Sequence, residues 1–274
     1  MMDGILVINK PYGMTSHDVI ARLRKKYKQK KFGHTGTLDP NATGVLVVLC
    51  GRACKALQFL ENQDKTYIAT MALGKKTDTD DIWGEVVETR PVQPIENLQA
   101  VLDTMVGAQK QQVPDTSAKK IAGKKLYEYQ REGKEVPRVF ADIEIYRAKV
   151  LDEQAMRFEI ACSSGTYIRS ICRDIAAKTG NVGTMTSLVR TQAGGFDLSQ
   201  AEDLDAPSHT LHSLESAFET MERVAYEPVD DVYNGKPIAC QAEAQRIAIT
   251  DAGKIIAIYE RDEKGVYRCK RGLW

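Results

Sequence analysis

The stretch GHTGTLDPNATGVLVVLCG, residues 33–51, joins a loop rich in glycine and proline to a continuous apolar run. Four of the first twelve positions are glycine or proline, and Asp39 is the carboxylate among them. Glycine lets another molecule approach the main chain and proline fixes its own φ, so such a loop can hold one side chain beside a large ligand. A tight turn whose aspartate only caps local amides is the competing interpretation. The apolar run from Val45 to Cys50 predicts a buried strand.

The composition is that of a globular protein, with 274 residues of which 43% are hydrophobic and 27% charged. Neither the first segment nor any later run has the apolar pattern of a signal peptide or a membrane span, so we expect a cytosolic protein. The six cysteines are typical of buried thiols in a reducing compartment. Cys50 and Cys54 have no CxxC pair or histidine cluster near them, which argues against zinc.

Charge is distributed unevenly along a chain whose net charge is only +1. Residues 1–55 hold ten Lys or Arg and three acids, whereas residues 197–231 hold ten acids and one arginine. This division suggests one face that attracts a polyanion and another that repels it. A solvated helix with outward lysines remains the alternative for the basic stretch RLRKKYKQKK.

Several segments have the periodicity of regular elements. GILVINK, GVLVVLC, KTYIATMAL and FEIAC predict strands, and IRSICRDIAAK predicts a helix that Gly180 ends. Ser16 is the predicted N-cap of a first helix that carries Val19 and Leu23 on its buried face. Because strands and helices do not alternate strictly, we expect an α+β fold rather than a doubly wound sheet.

Three later regions differ from these elements. Residues 110–138 are polar and lysine-rich, and predict a surface excursion with little core. The acidic, proline-containing stretch 203–228 is interpreted as a linker. The last fifty residues contain the short runs IAIT, KIIAIYE and GVYRCKRGLW, which predict a small β-rich module.

The sequence contains no complete motif for a common cofactor or metal. DTDDIWGE, residues 78–85, is similar to a calcium-binding loop, but Ile82 occupies its fifth position and breaks the ligand pattern. Neither GxxxxGK nor GxGxxG occurs. The sequence therefore supports neither ATP nor NAD nor a metal.

Three further residues change the interpretation of Asp39. Tyr67 lies in a predicted strand, and Tyr167 and Arg169 lie where a strand gives way to a helix. Taken singly, each tyrosine is more often core than functional, and Arg169 could be a surface cation. Together with an acid on a glycine loop and a basic arm, they favour nucleic-acid chemistry.

These motifs are similar to those of the pseudouridine synthases, in the form used by the tRNA pseudouridine-55 synthase (TruB) family. GHTGTLDPNATG resembles the family's catalytic-aspartate motif. ILVINKPYGMTSHDV, GRACK, KTYIATMALGKKTDTDDIWGEVV, KKLYEYQREGKEVPR and CSSGTYIRSICRDIA resemble the other motifs, in the same order. The resemblance covers about the first 190 residues, and the end of the chain resembles a shortened PUA-type RNA-binding module.

The resemblance implies a pseudouridine synthase fold with a central mixed, largely antiparallel sheet flanked by helices. It implies a catalytic domain at residues 1–222, with 110–138 as an insertion that clasps RNA, and a PUA-like domain at 223–274. The implied substrate is tRNA, bound through its T arm and elbow, and the implied reaction isomerises uridine 55 of the T loop. No cofactor, metal, membrane or obligatory protein partner is expected.

The resemblance also implies roles for particular residues. Asp39 would be the nucleophile at C1′, since a carboxylate is ionised at neutral pH. Arg169 would pair with it, and Tyr67 would stack on the base and could take part in proton transfer.

The remaining candidate residues would bind the substrate. His34 would fill the space left by the flipped nucleotide. Tyr167 and Leu188 would line the pocket, and Lys10 and Lys55 would be structural or face phosphate. One departure from the family is Asp115 in VPDTSAKK, where a second proline is common, which leaves the rigidity of that loop open.

Two alternatives remain at this point. One is a guide-RNA-dependent synthase of the related archaeal and eukaryotic branch, although the short C-terminal module argues against it. The other is a tRNA-folding chaperone that binds without catalysis.

Overall fold

The computed structural model describes residues 2–60, 63–117, 119–121, 123–132 and 134–274, without the side chains of Tyr127 and Gln130. The strands are β1 (Gly4–Lys10), β2 (Phe32–His34), β3 (Thr43–Cys50), β4 (Lys65–Leu73), β5 (Lys75–Thr77), β6 (Val86–Thr89), β7 (Gly107–Gln112), β8 (Lys120–Ile121), β9 (Lys124–Lys125), β10 (Phe140–Asp152), β11 (Arg157–Cys162), β12 (Gly183–Ala193), β13 (Phe196–Asp197), β14 (Glu202–Asp203), β15 (Arg223–Ala225), β16 (Arg246–Asp251), β17 (Lys254–Arg261) and β18 (Tyr267–Gly272). The helices are α1 (Ser16–Lys26), α2 (Leu98–Asp103), α3 (Leu126–Arg131), α4 (Ile168–Lys178) and α5 (Val229–Tyr233), and 3₁₀ turns lie at Gly51–Phe59 and Leu214–Ala217.

The chain folds as two compact units. Unit 1 comprises Met1–Gln63 and Ala193–Trp274, and unit 2 comprises Asp64–Gln192. Strands and helices are mixed in both, as the α+β prediction expected. Within the described ranges, no helix has the length and apolar character needed to cross a membrane.

In unit 1, β1 lies between β14, which is parallel to it, and β3, which is antiparallel. The predicted strand in GVLVVLC is confirmed as β3, and both of its faces are buried. Val45 and Val47 belong to one apolar cluster, and Leu46 and Val48 to another that includes Leu23 of α1. Burial on both faces explains why the run is apolar at every position rather than alternating.

The helix α1 begins one residue earlier than predicted. Thr15, not Ser16, is its N-cap: the Thr15 hydroxyl accepts from the Asp18 N–H, and the Asp18 carboxylate accepts from the Thr15 N–H. This reciprocal pair is a capping box. Ser16 is instead the first helical residue and is fully buried.

The C-terminal part of unit 1 forms a four-stranded sheet in the order β15–β16–β17–β18. The three predicted runs are confirmed as β16, β17 and β18. Ile258 and Leu273 from this part share a buried cluster with Val47 of β3. The proposed domain boundary at 222/223 stays a prediction.

The acidic stretch 203–228 is not a linker, and that prediction is wrong. Leu204, Phe218 and Met221 are buried in the clusters of unit 1, because apolar side chains are spaced among the acids. The stretch also lies against the basic helix. Arg22 pairs with Asp205 at 3.0 Å. The basic and acidic segments therefore meet at α1, which differs from the predicted separation of two charged faces.

In unit 2, strands follow the order β12–β4–β11–β10–β7, and β4, β11, β10 and β7 pair antiparallel. Helix α4 packs against β4, and α2 packs against β10. The predicted helix is confirmed as α4, which buries Ile171 and Ile175. Gly180, at φ +72°, follows its end in the left-handed conformation that glycine favours.

The segment 110–138 contains more core than predicted. Its first residues complete β7, whose Gln111 is buried, and Val113 and Leu126 are buried as well. The burial of Gln111 follows from the pairing of β7 with β10, because alternate side chains of a paired strand point toward the protein interior even when the strand is polar. Beyond Val113 the segment forms the β8–β9 hairpin and α3. Ala118, Ala122 and Gly133 lie outside the described residues.

The cysteines are free, but only half of them fit the prediction. Cys50, Cys162 and Cys172 are buried, and the other three are partly exposed. Burial raises the pKa of Cys50 and Cys162 to about 11, which keeps these thiols protonated at neutral pH.

Candidate active site

The loop that carries Asp39 connects β2 to β3. The Asp39 carbonyl accepts from the Ala42 N–H at 3.0 Å, which closes a turn around Pro40. The Pro40 carbonyl accepts from the Gly13 N–H at 2.9 Å. Asp39 itself is half-buried. These main-chain hydrogen bonds fix the position of the backbone from which the Asp39 side chain extends.

Lys10 supports the same loop from the end of β1. It is fully buried, and its Nζ donates to the carbonyls of Pro11, Met14 and Pro40 at 2.9, 2.5 and 3.0 Å. Buried ammonium groups are stabilised when each N–H has an acceptor. Of the two roles predicted for Lys10, the structural one is therefore the one that this geometry supports.

The glycines of the two strands that flank the loop, Gly33 on β2 and Gly44 on β3, differ in backbone conformation. Gly44 has φ +104°, a conformation that side chains other than glycine rarely adopt. Gly33 has negative φ, and a Cβ added there would meet no atom within 4 Å. Gly44 thus shapes the entry to β3, whereas Gly33 leaves open space beside β2.

Two other candidates of unit 1 are His34 and Lys55. His34 is the last residue of β2, and its ring meets that of His17 edge-on, with 5.4 Å between centroids. Lys55 lies on the 3₁₀ turn Gly51–Phe59, and its Nζ donates to the main-chain oxygen of Trp274 at 2.6 Å.

The candidates of unit 2 lie on strands and at the start of α4. Tyr67 is on β4 opposite Ile160 and only 6% exposed. Leu188 is buried on β12. Tyr167 is the N-cap residue of α4, and its N–H and C=O are both bonded to the Gln111 side-chain amide, at 2.8 and 3.1 Å. The predicted position of Tyr167 at a strand-to-helix transition is confirmed.

Arg169 is buried in the first turn of α4, with 5% of its surface exposed. Its Nη1 donates to the Thr79 carbonyl at 2.9 Å and to the Thr116 hydroxyl at 2.8 Å, and its Nη2 donates to the Thr116 carbonyl at 3.2 Å. Nη1 also lies 3.7 Å from an Asp81 carboxylate oxygen. Such a set of acceptors fixes the plane of the guanidinium.

The candidates are thus divided between the two units. Unit 1 holds Lys10, His34, Asp39 and Lys55, and unit 2 holds Tyr67, Tyr167, Arg169 and Leu188. The pairing of Asp39 with Arg169 stays a prediction.

The contacts made by residues 78–85 could not be predicted from the sequence, in which the stretch resembles a broken calcium loop and forms part of a family motif. In the structure, Thr79 and Asp81 contact Arg169. Carboxylates form strong charge-assisted pairs with arginine, and here the arginines lie about ninety residues further along the chain, at positions 169 and 173. Within the described ranges, no group of three His, Cys, Asp or Glu side chains is arranged to hold a metal ion.

A second feature missed from the sequence is a pair of buried cations. Lys65 is 8% exposed and Arg190 is fully buried. Burial lowers the pKa of Lys65 to about 8, and the charge of Arg190 acts in the same direction. Because side chains alternate along a strand, Lys65 and Tyr67 project from the same face of β4.

Comparison with known proteins agrees with the motifs. The family described as "TruB family pseudouridylate synthase (N terminal domain)" matches residues 24–168. The chain belongs to the TruB family. A tRNA pseudouridine synthase B from Alkaliphilus oremlandii is 47% identical over 212 residues, which cover 75% of this chain and 71% of that protein. One from Bacillus cereus is 38% identical over 288 residues, which cover 96% of this TruB family chain and 94% of the relative.

Solved structures support the fold of this TruB family member. A chain in a crystal structure of a Cbf5–Nop10–Gar1 complex matches it with a TM-score of 0.74 at 22% sequence identity. The match covers 100% of this chain and 85% of the other. At this level of identity the likeness concerns the fold alone.

Proposed function

We propose that this TruB family chain isomerises uridine 55 in the T loop of tRNA to pseudouridine. The observation that carries the proposal is the family's aspartate motif, with Asp39 on a hydrogen-bonded loop, in a chain similar over most of its length to tRNA pseudouridine synthases. The proposed substrate is tRNA, recognised through its T arm and elbow. Because the proposed substrate is tRNA, we place the enzyme in the cytosol.

The proposed reaction needs no cofactor, because it exchanges one bond to C1′ for another. The target nucleotide leaves the loop stack at a cost of a few kcal/mol. The N1–C1′ bond breaks, the uracil turns, and C5 bonds to C1′. The C5 hydrogen leaves as a proton and N1 gains one, so the composition of the RNA does not change.

In this scheme Asp39 acts at the sugar while the N1–C1′ bond breaks. Arg169 pairs with Asp39 and keeps it ionised and oriented. Tyr67 stacks on the detached uracil and its phenol assists proton transfer. The support for this stacking role is the family motif that carries Tyr67, and stacking of an aromatic ring on a base contributes roughly 1–3 kcal/mol.

The other residues are proposed to bind the RNA. His34 takes the place of the flipped nucleotide, and Tyr167 and Leu188 line the base pocket. We assign residues 1–222 as the catalytic domain and 223–274 as a PUA-like RNA-binding domain. Residues 110–138 close over the RNA, and no obligatory protein partner takes part.

The test is to incubate the purified protein with an unmodified tRNA transcript, without other proteins or guide RNA, and to map pseudouridine. We expect one modified position, uridine 55, and the same result with a minihelix of the T arm alone. A guide-dependent synthase would leave both RNAs unmodified until its guide was added. A chaperone would bind and refold the tRNA without forming pseudouridine.

A further inference from the structure

Two arginines on successive turns of α4 bind neighbouring residues of the loop 78–85. Arg169 donates to the Thr79 carbonyl at 2.9 Å, and Arg173 Nη1 lies 2.9 Å from a carboxylate oxygen of Asp80. Residues four apart lie on the same face of a helix. The helix therefore holds this loop at two consecutive residues.

The same two arginines also hold the start of the segment that follows β7. Arg173 Nη2 donates to the Gln112 carbonyl at 3.1 Å, and the Ser170 hydroxyl donates to the same carbonyl at 2.8 Å. Arg169 donates to the Thr116 hydroxyl at 2.8 Å. Arg173 thus joins α4, the loop 78–85 and the end of β7 through one guanidinium.

The Asp80 residue is anchored at its side chain and its main chain. It is 7% exposed, and its carbonyl accepts from the Met185 N–H at 3.1 Å. The Thr79 carbonyl and the Asp80 N–H belong to one planar peptide group. A rotation of the backbone at Asp80 would therefore turn the Thr79 carbonyl away from Arg169.

We propose that the Asp80–Arg173 ion pair is a positioning pair that orients the Arg169 guanidinium for pseudouridine formation. The proposal rests on the proposed function, in which Arg169 orients Asp39. Neither Asp80 nor Arg173 is placed in contact with the substrate. Their effect is transmitted through the Thr79 carbonyl and through the segment 112–116.

Each member of the Asp80–Arg173 pair stabilises the charge of the other. Burial raises the pKa of Asp80, and the charges of Arg173, Lys76 and Arg169 oppose that rise. Removing one member of a mostly buried pair leaves the other charge poorly solvated. Both residues line a cavity of about 600 Å³, so water can reach the remaining partner and offset part of this cost.

The test compares Asp80→Asn with the wild type by single-turnover pseudouridine formation and by tRNA affinity. Asp80→Asn keeps the shape of the side chain and removes its charge. We expect the rate to fall about tenfold, as for a small misplacement of a catalytic group. The Kd for tRNA should stay within about twofold. Arg147→Gln, which breaks the surface pair with Glu159 in the same unit, is the matched control and should leave the rate unchanged.

A double-mutant cycle with Arg169→Lys distinguishes positioning from general destabilisation. If Asp80 acts through Arg169, then Asp80→Asn should slow the reaction by less than about twofold in the Arg169→Lys background. An equal, roughly tenfold loss in both backgrounds would overturn the proposal. Should Asp80→Asn fail to fold, Arg173→Lys replaces it in the same cycle, because lysine keeps the charge but cannot bind Asp80 and Gln112 in a forked geometry.

The outcomes separate this inference from the proposed function. An active wild type with an unaffected Asp80→Asn variant overturns the positioning role alone. A folded wild type that forms no pseudouridine on tRNA overturns both.

Discussion

Ser16 and Leu38 are joined by two hydrogen bonds through a single hydroxyl. The Ser16 Oγ accepts from the Leu38 N–H at 2.9 Å and donates to the Leu38 carbonyl at 3.3 Å. Both residues are buried. Because Leu38 precedes Asp39, the first turn of α1 fixes the main chain directly before the proposed nucleophile.

Replacing Ser16 by alanine should therefore affect both stability and turnover. The buried N–H and C=O of Leu38 lose their side-chain partner, and we expect the free energy of unfolding to fall by about 1–3 kcal/mol. We also expect pseudouridine formation to slow several-fold, because the Asp39 loop loses one of its anchors. Urea denaturation and single-turnover assays measure the two effects.

The matched control is Thr15→Ala, one residue earlier. It removes the N-cap of α1 and should cost about 1 kcal/mol of stability without touching the loop. Equal turnover in the two alanine variants, with similar stabilities, would contradict the role of Ser16.

Tyr67 should matter more for turnover than for binding. Tyr67→Phe keeps the ring and removes the phenol, so we expect tRNA affinity to be retained while the rate falls about a hundredfold, as for the loss of a proton-transfer group. Tyr67→Ala should also weaken stacking on the base, by roughly 1–3 kcal/mol in the reaction complex. Tyr146→Phe, at an exposed position on β10, is the control. A proportional loss of affinity and rate in Tyr67→Phe would count against this assignment.

The exposed lysines of the basic arm, residues 22–31, should control the salt dependence of tRNA binding. Lys25, Lys28, Lys30 and Lys31 are exposed, whereas Arg22 and Lys26 contact residues 205 and 206. Replacing the four exposed lysines by glutamine should weaken binding and reduce the slope of log K against log salt by about 2–3. Binding measured between low and moderate salt gives the slope.

The control for the basic arm is Lys149→Gln with Lys178→Gln, two exposed lysines of unit 2. These changes should alter the slope less than those in the arm. A slope that stays the same after all four arm substitutions would show that the arm makes no phosphate contacts.

Lys65 predicts a specific dependence of stability on pH. Its pKa is 10.5 in the unfolded chain and about 8 in the folded one. Between these values the unfolded state binds more protons, so the free energy of unfolding rises with pH. The unfavourable contribution of Lys65 is complete below pH 8 and disappears as the pH rises to 10.5.

The measurement is the difference in unfolding free energy between the wild type and Lys65→Met from pH 7 to 10.5. We expect this difference to change by on the order of 2–3 kcal/mol in favour of the wild type as the pH rises. Lys149→Met, at an exposed lysine, should give a flat difference. A flat difference for Lys65→Met as well would contradict the lowered pKa.

The elements that the sequence predicted are those whose cause is local. The run GVLVVLC is apolar throughout because both faces of β3 are buried, and α4 follows the spacing of Ile168, Ile171 and Ile175. The positions of Asp39, Tyr67 and Arg169 on a loop, a strand and a helix start were predicted for the same reason.

What the sequence did not predict depends on partners distant in the chain. Ser16 resembles an N-cap by its residue type and its position before the helix, but its hydroxyl is hydrogen-bonded to the main chain of Leu38. The acidic stretch 203–228 resembles a linker by composition, although its Phe218 is buried in a cluster with residues of β1 and β3. The loop 78–85 binds Arg169 and Arg173, and these contacts arise only in the folded chain because the arginines are distant in the sequence.

The most direct test of the central claim is the pseudouridine yield of Asp39→Ala on a tRNA transcript, measured together with its Kd for that tRNA. We predict no product and an affinity within about twofold of the wild type, because the substitution removes the reacting carboxylate and leaves the RNA-binding surface intact. Asp142→Asn, an exposed carboxylate on β10, should behave as the wild type. A folded Asp39→Ala protein that still forms pseudouridine at a tenth of the wild-type rate or faster, roughly 1.4 kcal/mol or less of lost transition-state stabilisation, would contradict the account.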